Sequence, residues 1–149
     1  MEKEGDALAG QYVFNTYCAT CHQVKNEGVA FGPNLSEIGT KLSKQALYES
    51  IFYPSAGINF GYEGYLIKTK DGNAYNGYIA SQTESTTTLR AMGGIDHLID
   101  NNNIASKEAM TQSLMTANLH TILSEAELVN LITYLSELKS PTKEGLSLK

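Results

Sequence analysis

A mainly α fold carrying a small antiparallel β insertion is what this 149-residue sequence predicts, and three observations carry the prediction. Near the N-terminus Leu8, Val13, Phe14 and Tyr17 recur close to helical spacing. Near the C-terminus Ser124 and Glu127 form a capping box ahead of an apolar stripe. Between these ends the texture changes to alternating Tyr, Ile and Thr around Asp71-Gly72, a tight-hairpin pair. The length suits one domain, 1–149, with a helical core expected at about 6–60 and 104–140 and the β insertion at about 61–103.

Taken in order, the first helix is expected over Ala7 to Tyr17, with Gly10 where a second helix can approach closely. Cys18-Ala19-Thr20-Cys21-His22 follows it. Two intervening residues let a short turn present both thiols to one edge of a macrocycle while the next imidazole reaches an iron, so C-x-x-C-H points to covalent attachment of one haem c. Cys18 and Cys21 are the only cysteines, and no second Cys pair or His pair completes a four-ligand zinc site. A thioredoxin-like redox pair needs a buried strand before its C-x-x-C, and here a helix precedes it.

Gly28 and Phe31-Gly32-Pro33-Asn34-Leu35 mix turn-forming and rigid residues, as suits a loop wrapped over a flat prosthetic group. Ser43 caps a short helix through Ala46, Leu47, Ile51 and Phe52, which Pro54 stops. Tyr65–Lys70 and Asn73–Ala80 read as paired strands; Ser85–Arg90 and Ile95–Ile99 add two more around Gly93-Gly94. Asn101-Asn102-Asn103 breaks that pattern, and a turn or short helix is expected around Ser106–Gln112. Leu128, Leu131, Ile132, Leu135 and Leu138 form the inward stripe of the last helix, which Pro141 ends; Thr142–Lys149 is expected to fray.

Eleven Lys and Arg against sixteen Asp and Glu give a net charge of −5, which argues against nucleic acid as a partner. No apolar run reaches the roughly 18 residues a membrane helix needs. The polar start Met1–Asp6 is no signal peptide. Because haem is joined to this motif outside the bacterial cytoplasm, a periplasmic or otherwise extracytoplasmic protein is expected, its signal or anchor absent from this chain. No nucleophile with an attendant base, phosphate loop or zinc motif suggests an enzyme.

Gly10, Phe14, Cys18, Cys21, His22, Gly32-Pro33, Leu35, Met115, Leu131, Ile132, Tyr134 and Leu135 fall in the order seen in class I cytochromes c, which the chain therefore resembles. It is more similar still to the planctomycete/verrucomicrobial-type haem-binding domains. Three segments carry that likeness: Leu47-Tyr48-Glu49-Ser50-Ile51 with Pro54-Ser55-Ala56, the β-rich insert with Asp71-Gly72 and Gly77, and Ser113-Leu114-Met115.

The resemblance implies a class I helical core in which Gly10 and Phe14 meet Tyr134, His22 as proximal ligand with its second ring nitrogen on the Pro33 carbonyl, and Met115 as distal ligand. Met92, Met110, His97 and His120 are the other candidates for that sixth position. Phe31, Leu35, Ile38, Leu47, Ile51 and Leu119 are candidate walls. The β insertion either covers the haem edge or, through Tyr62, Tyr65, Tyr75 and Tyr78, offers a docking patch for a redox partner.

The expected function is one-electron transfer on a His/Met-ligated haem, in a free shuttle or a redox module delivering electrons for a partner protein or fused dehydrogenase. The alternative is a small-ligand-binding or peroxidase-like protein whose methionine is displaced. The domains it resembles usually have proline directly after the ligand methionine where this chain has Thr116, which predicts a softer loop.

Overall fold

The computed structural model describes residues 4–58 and 60–140. In chain order the elements are α1 (Ala7–Tyr17), β1 (Gln23–Val24), β2 (Glu27–Gly28), α2 (Ile38–Lys41), α3 (Lys44–Phe52), β3 (Gly64–Thr69), β4 (Ala74–Gln82), β5 (Thr86–Ala91), β6 (Ile95–Asp100), β7 (Ile104–Ala109), α4 (Leu119–Ile122) and α5 (Glu125–Ser136). Helix accounts for 32% and strand for 27% of the structure, so the expected mainly α class is overturned: the molecule is α plus β.

The helices start where side chains satisfy their free N–H groups. The Asp6 carboxylate accepts from the Leu8 and Ala9 amides, Ser43 Oγ accepts from Ala46, and Ser124 and Glu127 exchange bonds as a complete capping box. α5 stops at Ser136, short of the predicted Leu138. Its last turn tightens as Glu137 and Leu138 N–H bond Tyr134 and Leu135 C=O, and the Leu138 carbonyl then accepts from Gly39 N–H at 2.7 Å. Pro141 and the tail expected to fray lie outside the described residues.

α1 and α5 cross at Gly10, and Phe14 meets Tyr134 with ring centroids 5.8 Å apart. Around that crossing Val13, Phe14, Leu47, Ile51, Leu128, Leu131, Ile132 and Leu135 form the helical core.

All pairings in the five-stranded sheet are antiparallel, in the order β6-β5-β4-β3-β7. Its two edge strands are consecutive in the chain, joined by the 3-10 turn Asn101–Asn103. That short link draws the edges together and curls the sheet around its own small core of Ile67, Leu89 and Ile99, the first two wholly shielded from solvent. The asparagines hold the curl: Asn101 Nδ2 donates to the Thr83 and Glu84 carbonyls, and Asn103 Nδ2 to Asp71 in the β3–β4 turn.

Residues 104–109, expected in the helical part and partly as a turn or short helix, are strand β7. The free edge of β3 pairs this segment, and that pairing outweighs its weak local preference. The sheet thus spans Gly64–Ala109, beyond the expected limit near residue 103.

An added Cβ at Gly10 would lie 1.9 Å from the Asn130 carbonyl oxygen and 2.8 Å from Tyr134 Cβ, so the helices must move apart to admit it. Gly10→Ala is expected to lower unfolding free energy by about 1–3 kcal/mol, the range for an overpacked core. Denaturant titration checks this; an unchanged midpoint contradicts the close crossing.

Candidate functional site

Where α1 ends, the chain winds on for one more turn: Cys21 and His22 N–H bond the Cys18 carbonyl at 3.0 and 2.9 Å. Both thiols are free and half-buried. Cys18 packs against the helical core, and burial, reinforced by neighbouring Cys21, pushes its thiol up to about 12. It is therefore held protonated at neutral pH.

The next loop clamps back onto this turn. Val29 N–H bonds the Ala19 carbonyl at 2.8 Å, and Phe31 and Gly32 N–H reach the Cys21 carbonyl at 3.2 and 2.5 Å. Between them sits the small β1–β2 hairpin, which the sequence does not announce. The clamp carries Pro33 to the ring of His22, whose Nδ1–H donates to the Pro33 carbonyl at 2.8 Å. A carbonyl only accepts, so the proton belongs to Nδ1 and Nε2 keeps its lone pair. Burial lowers the pKa of this imidazole, against the smaller opposing effect of the Pro33 bond, and so favours its neutral form.

An apolar cavity of about 400 Å³ opens beside this ring. Of the residues expected to hold the prosthetic group, Cys21, His22, Phe31, Pro33, Leu35 and Met115 all line it. Ile38, Leu47 and Ile51 complete the expected wall, whereas Cys18, packed against the helical core, and Leu119, within it, do not line the cavity.

The other candidates for a sixth ligand are elsewhere. Met92 is 62% exposed in the β5–β6 turn, Met110 sits against Gly64, His97 stacks on Tyr75 and His120 on Phe52. Nδ1 of His120 is buried without a partner.

The four tyrosines divide between two places. Tyr62 and Tyr78 line the cavity, with the Tyr78 ring 5.3 Å from Phe31 and 5.0 Å from Tyr62. Tyr65 and Tyr75 pack against the core of the sheet. Arg90, the only arginine of the chain, points one nitrogen at the Tyr78 phenol at 3.5 Å and forks onto Asp96 at 2.7 and 3.1 Å. Pairing with Arg90 holds the Asp96 carboxyl below its usual range. The cavity roles of Ile58, Tyr62, Tyr78 and Leu114 are not readable from local sequence, since they depend on how the sheet and its linker fold back.

The cytochrome c family model matches residues 7–84, just over half of the chain, and the chain belongs to that family. Membership brings covalent c-type haem and electron transfer with it. The matched segment contains Cys18, Cys21, His22, Phe31, Pro33 and Leu35, while Met115 lies beyond it. No curated protein matches the chain.

The residues present fit such a group. The cavity is lined mainly by apolar side chains, an imidazole lone pair is unprotonated, a thioether lines the same cavity, and two thiols flank the turn. Among the described residues no three His, Cys, Asp or Glu side chains cluster to hold a metal by themselves.

Gly32 lets the loop lie against the His22 ring: a Cβ there would fall 2.7 Å from Cε1, 3.0 Å from Nδ1 and 3.2 Å from Nε2. Gly32→Ala is expected to push the imidazole off the Pro33 carbonyl and to perturb the Soret and visible bands of the purified haem protein. Spectra identical to wild type contradict this packing.

Proposed function

We propose that this chain is a one-electron carrier in which Cys18 and Cys21 anchor the haem, His22 is the proximal ligand and Met115 the distal one. The observation that carries the reading is the convergence of His22 and Met115 on a single apolar cavity beside the Cys18–Cys21 turn. When bound, haem supplies an iron that takes up and releases one electron.

The protein's part is to hold and shield. Pro33 fixes the tautomer and the plane of His22, which leaves Nε2 as the donor atom. A soft thioether from Met115 favours the ferrous over the ferric state and raises the potential relative to a second imidazole. Phe31, Leu35, Leu47 and Ile51 exclude water from the site, which disfavours the more charged ferric form. With His22 and Met115 both holding the iron, no substrate would need to reach the metal, which favours a carrier over an enzyme.

The sheet between α3 and Met115 corresponds on this reading to the β insertion of the planctomycete/verrucomicrobial-type domains. Tyr62 and Tyr78 give it a wall of the site. The working location is extracytoplasmic, with a redox partner protein or a fused dehydrogenase as electron source or sink. Among the described residues no helix is long and apolar enough to cross a membrane.

Absorption spectroscopy of the mature holoprotein tests the ligand set. The ferric protein is expected to show the weak near-infrared band of thioether sulfur on iron, and the ferrous protein to be inert to carbon monoxide. Met115→Ala is expected to abolish the band, to bind carbon monoxide promptly and to lower the reduction potential. Persistence of the band in Met115→Ala removes Met115 from the ligand role, and prompt carbon monoxide binding by the wild type supports the small-ligand alternative instead.

A further inference from the structure

The segment that brings Met115 to the cavity has little regular structure. Strand β7 ends at Ala109, the Met110 N–H makes a last bond to the Gly64 carbonyl at 2.8 Å, and α4 starts only at Leu119. Proline directly after the methionine would brace this stretch, because proline locks its own φ and confines the residue before it to extended backbone, but position 116 is threonine. Thr116 does neither.

Two serine hydroxyls act on this stretch. Ser55 Oγ accepts from the Ser113 N–H at 2.9 Å, across 58 positions of sequence. Ser113 Oγ in turn accepts from the Met115 N–H at 3.1 Å. The origin of this chain of bonds is itself fixed. Ser55 lies in the turn that follows α3, closed by the Ala56 N–H on the Tyr53 carbonyl at 3.0 Å. Pro54, its neighbour, is buried and lines the same cavity as Met115. Helix α3 supplies Leu47 and Ile51 to that cavity as well. The frame that shapes the cavity wall is therefore hydrogen-bonded, through two hydroxyls, to the main chain of the methionine.

We propose that Ser55 and Ser113 are positioning residues that hold the Met115 thioether at the iron, doing by hydrogen bonds what proline at 116 does by ring closure. The inference rests on Met115 being the distal ligand. A side-chain hydrogen bond of this kind contributes about 1 kcal/mol, which corresponds to about fivefold in the equilibrium between bound and released thioether. Breaking the relay therefore loosens the ligand without unfolding the protein.

Ser55→Ala and Ser113→Ala holoproteins provide the test, read by the ferric near-infrared band, by carbon monoxide uptake of the ferrous form and by far-ultraviolet circular dichroism. Each variant is expected to keep wild-type helicity, to take up carbon monoxide where the wild type is inert, and to show a weakened ferric near-infrared band, as a release equilibrium shifted about fivefold requires. Ser113→Thr, which keeps the hydroxyl, is expected to behave as wild type. Unchanged carbon monoxide uptake and an unchanged band in both alanine variants overturn the proposal. So does an equal loss in Ser113→Thr and Ser113→Ala, since the hydroxyl is then irrelevant. Met115→Ala, measured alongside, separates the two levels: a band that survives there discards the ligand assignment, whereas a band lost there and intact in both serine variants discards only the relay.

Discussion

The bond from His22 Nδ1–H to the Pro33 carbonyl is the constraint on which the site depends. Its donor comes from the end of α1 and its acceptor from a loop eleven positions later. It forms only because three main-chain bonds fold that loop back onto the Cys18–Cys21 turn. Gly32 is needed for the same reason, since any side chain there occupies the volume of the ring. The consequence is electronic as well as geometric: the bond commits a proton to Nδ1, and burial, by lowering the pKa of the ring, favours the form in which the other nitrogen carries a lone pair. A surface histidine with the same neighbours in sequence has neither property.

The sequence shows those parts of the molecule whose causes are local. Asp71-Gly72 and Gly93-Gly94 require tight turns, Ser43 and Ser124 satisfy helix ends, and both hairpins and two helix starts follow within a residue or two. C-x-x-C-H likewise carries its meaning within five residues. What escapes local pattern is non-local in origin. Ile104–Ala109 has no strong strand signal and becomes a strand because β3 offers an unpaired edge. The overall class differs from expectation for a related reason: the sheet is not a small ornament on a helical core but a second body of comparable size with a core of its own.

The site is partly legible in the same sense. His22, Phe31, Pro33 and Leu35 sit within a few residues of the motif and arrive at the cavity through short-range turns. Met115 is singled out by the resemblance to class I cytochromes c, not by any local pattern. Tyr62 and Tyr78 have the character of aromatics fit for a partner surface, yet both face the cavity, and Tyr78 is only 6% exposed. Separation by an odd number of residues in β4 tells that Tyr78 and Tyr75 point to opposite sides; it does not tell which side the helices occupy.

The two cores share no residue: one holds Phe14, Leu131 and Ile132, the other Ile67, Leu89 and Ile99. The cavity lies between them, lined by α3, the His22 loop and Met115 on one side and by Tyr62 and Tyr78 on the other. Across it, the direct aromatic contact is Phe31 on Tyr78. An apolar group filling that volume removes surface of both halves from water at about 25 cal/mol per Å². Because it binds the native arrangement and not the unfolded chain, its affinity adds to stability, and the part of that affinity contributed by Tyr62 and Tyr78 adds to the cohesion of sheet and helices. A prosthetic group bound in that volume would thus be a structural element shared by two halves, and the sheet shielding it would be held in place by what it shields.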